Sequence, residues 1–261
     1  MKASPPVPDI PVCASLFFRG VLPAFEDFLK FDPVARRILG RSSGDVVFSD
    51  RTGRRVCLSF GENACIWSEV PGGKVAAHVR LGSEANVVRF IRGGAAVPLL
   101  TKGWCRPLLL SRLLRLFLRF QKLLKPDPRS LGDPDFRLLH VRLALAVALF
   151  SLAEVGRADP WARRMLEDCP DGTVCFRVGG SDLAAWISKS SSGLVPGRGE
   201  PEAGQSDAVV AFASPKIAME ILTRKKDAHA AVALGEIRVE GLTPLADGID
   251  HVLNRVARYL P

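Results

Sequence analysis

Features that announce chemistry are scarce in this chain. Its six cysteines, Cys13, Cys57, Cys65, Cys105, Cys169 and Cys175, form no Cys-x-x-Cys pair and no Cys/His cluster at metal-ligand spacing, which excludes a thiolate zinc site and a dithiol redox motif. The thiols are therefore read as reduced and mostly buried, in a cytoplasmic compartment. No Gly-x-Ser-x-Gly nucleophile elbow, His-Glu-x-x-His metal motif or glycine loop ending in Lys-Ser/Thr is expected. Gly93-Gly94 and Gly179-Gly180 are read as turns. The four histidines, His78, His140, His229 and His251, are scattered. Asp250 and His251 are adjacent, but neighbours on a helix point about 100° apart. No catalytic residue, cofactor or metal is expected.

Long apolar runs are missing too. Residues 143–153 make a run of 11 that follows Arg142, against the roughly 20 needed to cross a bilayer. The stretch 12–22 is interrupted by Arg19 and has no small-residue cleavage site after it, so it is not read as a signal peptide. The final Tyr259-Leu260-Pro261 is no peroxisomal address. Pro5, Pro6, Pro8 and Pro11 crowd the first residues, and 1–13 is read as a mobile tail.

What is present is a repeat. Phe31-Asp-Pro-Val-Ala-Arg-Arg-Ile-Leu39 returns 127 residues later as Ala158-Asp-Pro-Trp-Ala-Arg-Arg-Met-Leu166, six of nine positions identical. The chain thus divides into a first unit, 14–125, a linker, 126–135, and a second unit, 136–261. In both copies Asp then Pro should open a helix: the carboxylates of Asp32 and Asp159 cap free amides, and proline costs nothing at the first helical position. Apolar helical segments precede the caps, at 14–29 and 136–155. Strands follow at 46–49, 54–60, 64–69 and 74–81, then a helix at 84–92. The second copy offers strands at 173–178, 183–188, weakly near Leu194, and at 208–213, then a helix at 215–224 capped by Ser214. Its Gly/Pro/Ser-rich stretch 190–206 reads as a mobile loop.

Charge divides the copies. Residues 1–125 hold 20 Lys/Arg against 9 Asp/Glu, whereas 126–261 hold 16 against 18. The whole excess lies in the first unit, which suggests that this half alone faces an anionic partner.

The text SDAVVAFASPKIAMEIL from Ser206, followed by DAHAAVALGEIRVEGLTPLADGIDHVL from Asp227, resembles the C-terminal half of a sterol carrier protein 2 type lipid-binding domain. The similarity rests on the order of a strand, a Ser-capped helix, a short apolar segment, the strand Gly235-x-Ile237-x-Val239-x-Gly241 and a final helix at 244–260. The first copy matches through the repeat, with strand five at 95–103, but lacks that glycine-bounded signature. The resemblance implies an α/β (α+β) fold of two tandem sterol-carrier-like domains, each a mainly antiparallel five-stranded sheet covered by helices. It also implies an apolar lipid ligand in a hydrophobic cavity. Trp186, Phe212, Ile221, Ile237, Val239, Leu245 and Ile249 are its candidate walls, the alternative being that they fill a solid core.

The last helix of the first unit differs in kind. Arg112, Arg115, Arg119 and Lys122 recur at i, i+3, i+7 and i+10 within a body of leucines running from Leu108 to Leu124. A basic ridge on a broad apolar body suits the surface of an anionic membrane; packing on the second unit, a second chain or another protein is the other reading. Nucleic acid is not expected, since no interleaved aromatics accompany the charge. Two functions stay open. One is a non-catalytic intracellular carrier of a sterol, fatty acyl or isoprenoid lipid, cytoplasmic or at a membrane periphery. The other is an accessory or scaffold protein of a membrane-associated lipid or quinone biosynthesis complex.

Overall fold

A computed structural model describes residues 9–61, 64–91, 99–103, 106–202 and 204–260. The first unit opens with α1 (Ile10–Leu16), a π-helical turn (Phe17–Val21), a 3-10 turn (Leu22–Ala24) and α2 (Phe25–Phe31), then α3 (Pro33–Leu39). Strands β1 (Gly44–Ser49), β2 (Arg55–Gly61), β3 (Ala64–Ser68) and β4 (Val75–Arg80) follow, with α4 (Glu84–Ile91), β5 (Leu99–Lys102) and α5 (Pro107–Leu124). The second unit repeats the plan. It runs through α6 (Pro134–Ala158), α7 (Pro160–Glu167), β6 (Gly172–Val178), β7 (Ala184–Ser190), β8 (Gly193–Arg198) and β9 (Ala208–Phe212). It ends with α8 (Pro215–Leu222), α9 (Ala228–Ala233), β10 (Ile237–Gly241) and α10 (Thr243–Tyr259).

Both sheets have one topology: β3-β2-β1-β4-β5 and, correspondingly, β8-β7-β6-β9-β10. The central pairs β1/β4 and β6/β9 are parallel and the others antiparallel. Duplication therefore extends from a nine-residue motif to the order of ten strands, and the expected two-domain α/β architecture is present. The strand bounds expected for β1–β4, β6, β7 and β9 hold to within two residues; of the strand expected at 95–103, β5 covers Leu99–Lys102, and 95–98 lie outside the described residues.

The repeated motif explains itself in space. Asp32 caps α3 by accepting from the Val34 amide (2.8 Å), and Asp159 caps α7 by accepting from the Trp161 amide (2.8 Å). Each second carboxylate oxygen then reaches the last helix of its own unit. Asp32 accepts from Arg119 Nε at 2.9 Å, and Asp159 from Arg255 Nε at 2.7 Å and the Tyr259 hydroxyl at 2.6 Å. Both aspartates are buried, so cap and clamp are one group.

Two apolar cores lie under the two sheets, and α6 belongs to both. Val141, Leu145, Leu149, Leu152 and Val155 face the second core, while Leu143, Ala146 and Val147 face the first. A helix apolar on all sides is buried on all sides. By length and composition α6 could cross a bilayer, yet most of its apolar window is buried in the fold. The first unit's counterpart is broken because Pro23 stands where the second has Phe150: proline lacks the amide and clashes with the carbonyl four residues back. The two segments cross at Gly20, where a Cβ would come within 2.3 Å of Ser151 Oγ.

Two expectations need correction. Residues 10–13 are not tail. They start α1, with Pro11 in its first turn where the missing amide is harmless, and Val12 and Cys13 are buried in the second unit's core. Residues 1–8 lie outside the described residues. The stretch 190–206 is not all loop either, because β8 forms an edge strand there, despite Pro196 and Gly197. An edge tolerates proline, and Gly197 is required: its Cβ would fall 2.0 Å from the Trp186 ring.

Candidate functional site

The second unit brings six of the seven candidate lipid-wall residues together. Phe212, Ile237, Leu245 and Ile249 are buried in one cluster, and Ile221 and Val239 pack against it. Trp186 does not join them. In β7, Ala185 and Ile187 point to the core, so the side chain between them points to the other face. There Trp186 pairs with Cys175 of β6 and lies over Gly197 of β8. It is removed from the wall set.

Four of the six are buried core, and Ile221 and Val239 are half-buried at its edge. Leu245 is 0% exposed and Ile249 1%. Neither side chain has surface left for a ligand to touch, so α10 packs closely on the core at these two positions. A lipid here would have to lift α10 or displace side chains.

The basic ridge of α5 divides into two pairs. Arg112 donates to the Leu39 carbonyl (3.1 Å) and to Ser42 Oγ, while Arg119 is held by Asp32 and lies over the Phe136 ring. These two arginines fasten both ends of α3, antiparallel, along α5, and are not a free surface. Arg115 and Lys122 are exposed and have no ion pair among the described residues. Beside them, Leu108 (73%), Leu114 (62%) and Leu118 (56%) lie open to solvent. Leu109, Leu113, Leu116, Phe120 and Leu123 take the buried side. The apolar arc is thus wider than the core uses, as the leucine count suggested.

Other polar groups lend themselves less to chemistry. A cleft of about 210 Å³ between the units is lined by Ser15, Arg19, Arg54, Arg55 and Arg157 among others. Buried Glu154 accepts from Ser15 and from Arg157 (2.6 and 3.1 Å), and Arg19 and Arg54 pair with Glu69 and with Asp50 and Glu84. Its arginines are mostly neutralised. Ser49 Oγ and His78 Nε2 are 2.8 Å apart on the outer face of the first sheet. Burial first, then Arg80 and Lys102, push the His78 pKa down; among the described residues no carboxylate orients the ring. His251 meets Asp247, one turn away at 3.6 Å, and not Asp250. No group of three potential metal ligands occurs among the described residues.

One spelling escaped the sequence reading. Gly40-Arg41-Ser42-Ser43-Gly44 does match Gly-x-Ser-x-Gly. It runs from helix α3 into strand β1, the reverse of the strand-to-helix turn a nucleophile elbow needs, and the Ser42 hydroxyl faces Arg112, with no histidine bonded to it among the described residues.

No protein-family model matches the chain, and no curated protein matches it. Among solved structures it is similar to the apo form of sterol carrier protein 2 from Yarrowia lipolytica, at 16% identity and TM-score 0.31, over 40% of this chain and 91% of that one. It is similar also to sterol carrier protein domain 2 of Helicoverpa armigera, at 17% identity and TM-score 0.34, over 44% of this chain and 88% of that one. A third likeness is to the stereoselective inverting sec-alkylsulfatase Pisa1 from Pseudomonas sp., at 14% identity and TM-score 0.25, over 65% of this chain and 30% of that one. All three are likenesses of fold over part of the chain.

Proposed function

We propose that this chain is a non-catalytic, intracellular lipid-binding and lipid-transfer protein that works at an anionic membrane surface through the exposed face of α5. The observation that supports this reading is the juxtaposition of Leu108, Leu114 and Leu118, each more than half exposed, with exposed Arg115 and Lys122, which have no ion pair among the described residues. Three leucines held in water by a stable helix are costly unless something apolar covers them, and each cation adds about 1 kcal/mol near an anionic bilayer.

Flotation with anionic vesicles tests it. Changing Arg112 or Arg119 would disturb α3, so the informative variants are Leu108→Ser/Leu114→Ser/Leu118→Ser and Arg115→Glu/Lys122→Glu. Both should lose vesicle binding with an unchanged melting temperature; flotation equal to wild type in both would overturn the assignment.

A second reading, an accessory or scaffold protein of a membrane-associated lipid or quinone biosynthesis complex, is favoured by the close packing beneath α10. The carrier reading requires a sterol, fatty acyl or isoprenoid chain to enter by displacing that helix. Native mass spectrometry of protein incubated with such lipids separates them: bound lipid supports the carrier, and vesicle binding without it supports the scaffold.

A further inference from the structure

We infer that the C-terminal end of α3 is a phosphate-headgroup site, taking the phosphomonoester of an anionic phospholipid within the bilayer on which α5 rests. The inference depends on α5 attaching to that bilayer.

Position comes first. The Asp32–Arg119 bond and the Arg112 bond to the Leu39 carbonyl hold α3 along the rim of the exposed α5 face. Whatever surface Leu108, Leu114 and Leu118 enter, α3 meets at its edge.

Charge comes second. A shallow, open surface along α3 is lined by Pro33, Arg36, Arg37, Gly40 and Arg41, with its arginines in and after the last turn. All three arginines are exposed, and none has an ion pair among the described residues. Gly40, at φ 57°, ends the helix between Arg37 and Arg41. Planar guanidinium groups match phosphate oxygens two at a time, and a phosphomonoester presents more charge and more free oxygens than a phosphodiester.

The second copy supplies an internal control. At the positions of Gly40 and Arg41 it has Glu167 and Asp168, and Arg163, the counterpart of Arg36, donates to the Arg157 carbonyl at 2.7 Å. The framework is duplicated there together with Arg164, the counterpart of Arg37, but an acid stands in place of Arg41. This agrees with the location of the whole excess charge in the first 125 residues. The neighbouring open leucines decide for a bilayer over a soluble anion, because their burial and the headgroup contact occur together.

The full-length protein is tested by flotation on vesicles of phosphatidylcholine alone, with phosphatidylglycerol, and with phosphatidic acid, the last two matched in surface charge. Wild type should favour phosphatidic acid. Arg36→Gln/Arg37→Gln/Arg41→Gln, whose side chains have no ion pair among the described residues, should keep the wild-type melting temperature. It should lose about fivefold in affinity for each arginine, roughly a hundredfold in all, and with it the preference. Arg41→Asp, which copies the second unit, should also abolish the preference. A triple variant that still favours phosphatidic acid overturns the site. Wild type that floats on both anionic vesicles equally overturns this inference while leaving the α5 attachment intact; wild type that floats on neither overturns both. Glycerol 3-phosphate binding as tightly as the vesicles would assign the arginines to a soluble anion and overturn the headgroup assignment.

Discussion

Replacing Asp159 by asparagine isolates the clamp from the cap. The asparagine carbonyl can take the place of Oδ1 and still accept from the Trp161 amide, so α7 keeps its start. The amide nitrogen then stands where Oδ2 accepted from Arg255 Nε at 2.7 Å and the Tyr259 hydroxyl at 2.6 Å. Three donors face one another and two bonds are lost. A bond to a charged group contributes about 1.5–3 kcal/mol, and breaking a buried ion pair costs about 3–5 kcal/mol. Arg255 keeps some contact with water, which places the expected loss near 3 kcal/mol. At about 2–4 °C per kcal/mol for a chain of this size, the melting temperature should fall by roughly 6–12 °C. Asp32→Asn loses only the Arg119 bond and should cost about half as much. The two variants are compared by denaturant and thermal unfolding, followed by circular dichroism. Acid provides a second readout. Burial pushes the Asp159 carboxyl up, but the bonds from Tyr259, Arg255 and the Trp161 amide outweigh it and hold the pKa below the usual carboxylate range. A lowered folded pKa gives stability that is present above the unfolded value and disappears as pH falls through the folded one. The gap between wild type and Asp159→Asn should therefore close in acid. A loss below 1 kcal/mol, or a larger loss in Asp32→Asn, would refute the clamp.

His140 donates from Nδ1 to the Leu123 carbonyl (2.7 Å), and its Nε2 is buried without a partner. Burial lowers its pKa, Lys225 adds to this, and the carbonyl bond opposes it. Its contribution is present above the ordinary histidine value and lost as pH falls, so wild type should lose stability between about pH 7 and 5. His140→Gln should flatten that slope in denaturant titrations. Gly197→Ala would drive a methyl into the Trp186 ring and should cost about 1–3 kcal/mol, with a red shift in tryptophan emission; an unchanged spectrum would contradict the stacking. Gly20→Ala should cost a similar amount through its collision with Ser151. Ser151→Ala, which removes a buried hydroxyl with no partner, should lie within about 1 kcal/mol of wild type and partly rescue Gly20→Ala.

Much of the framework was legible because local chemistry punctuates it. Asp-Pro opens α3 and α7, Pro71-Gly-Gly73 separates β3 from β4, and the bounds of β1, β2 and β6 follow. β8 was obscured because Pro196 and Gly197 look like loop residues, and the reason for Gly197 is a ring on the neighbouring strand. The misplacement of Trp186 was avoidable. Leu183, Ala185 and Ile187 alternate inward, and alternation leaves Trp186 outside. The division of the α5 ridge was not visible, since Arg119 meets a carboxylate 87 residues away. The repeat made Asp32 and Asp159 conspicuous as caps, while their second bonds depend on where α5 and α10 come to rest.

The exchange of side chains along α6 makes the duplication irreversible in a physical sense. Val12, Cys13 and Leu16 come from the first repeat and fill the second repeat's core, while Leu143, Ala146 and Val147 travel the other way. Neither half, severed at the linker, owns a complete interior; each would open a trench where its sibling's helix had lain. The two halves close one another, and separated halves should unfold more readily than the pair.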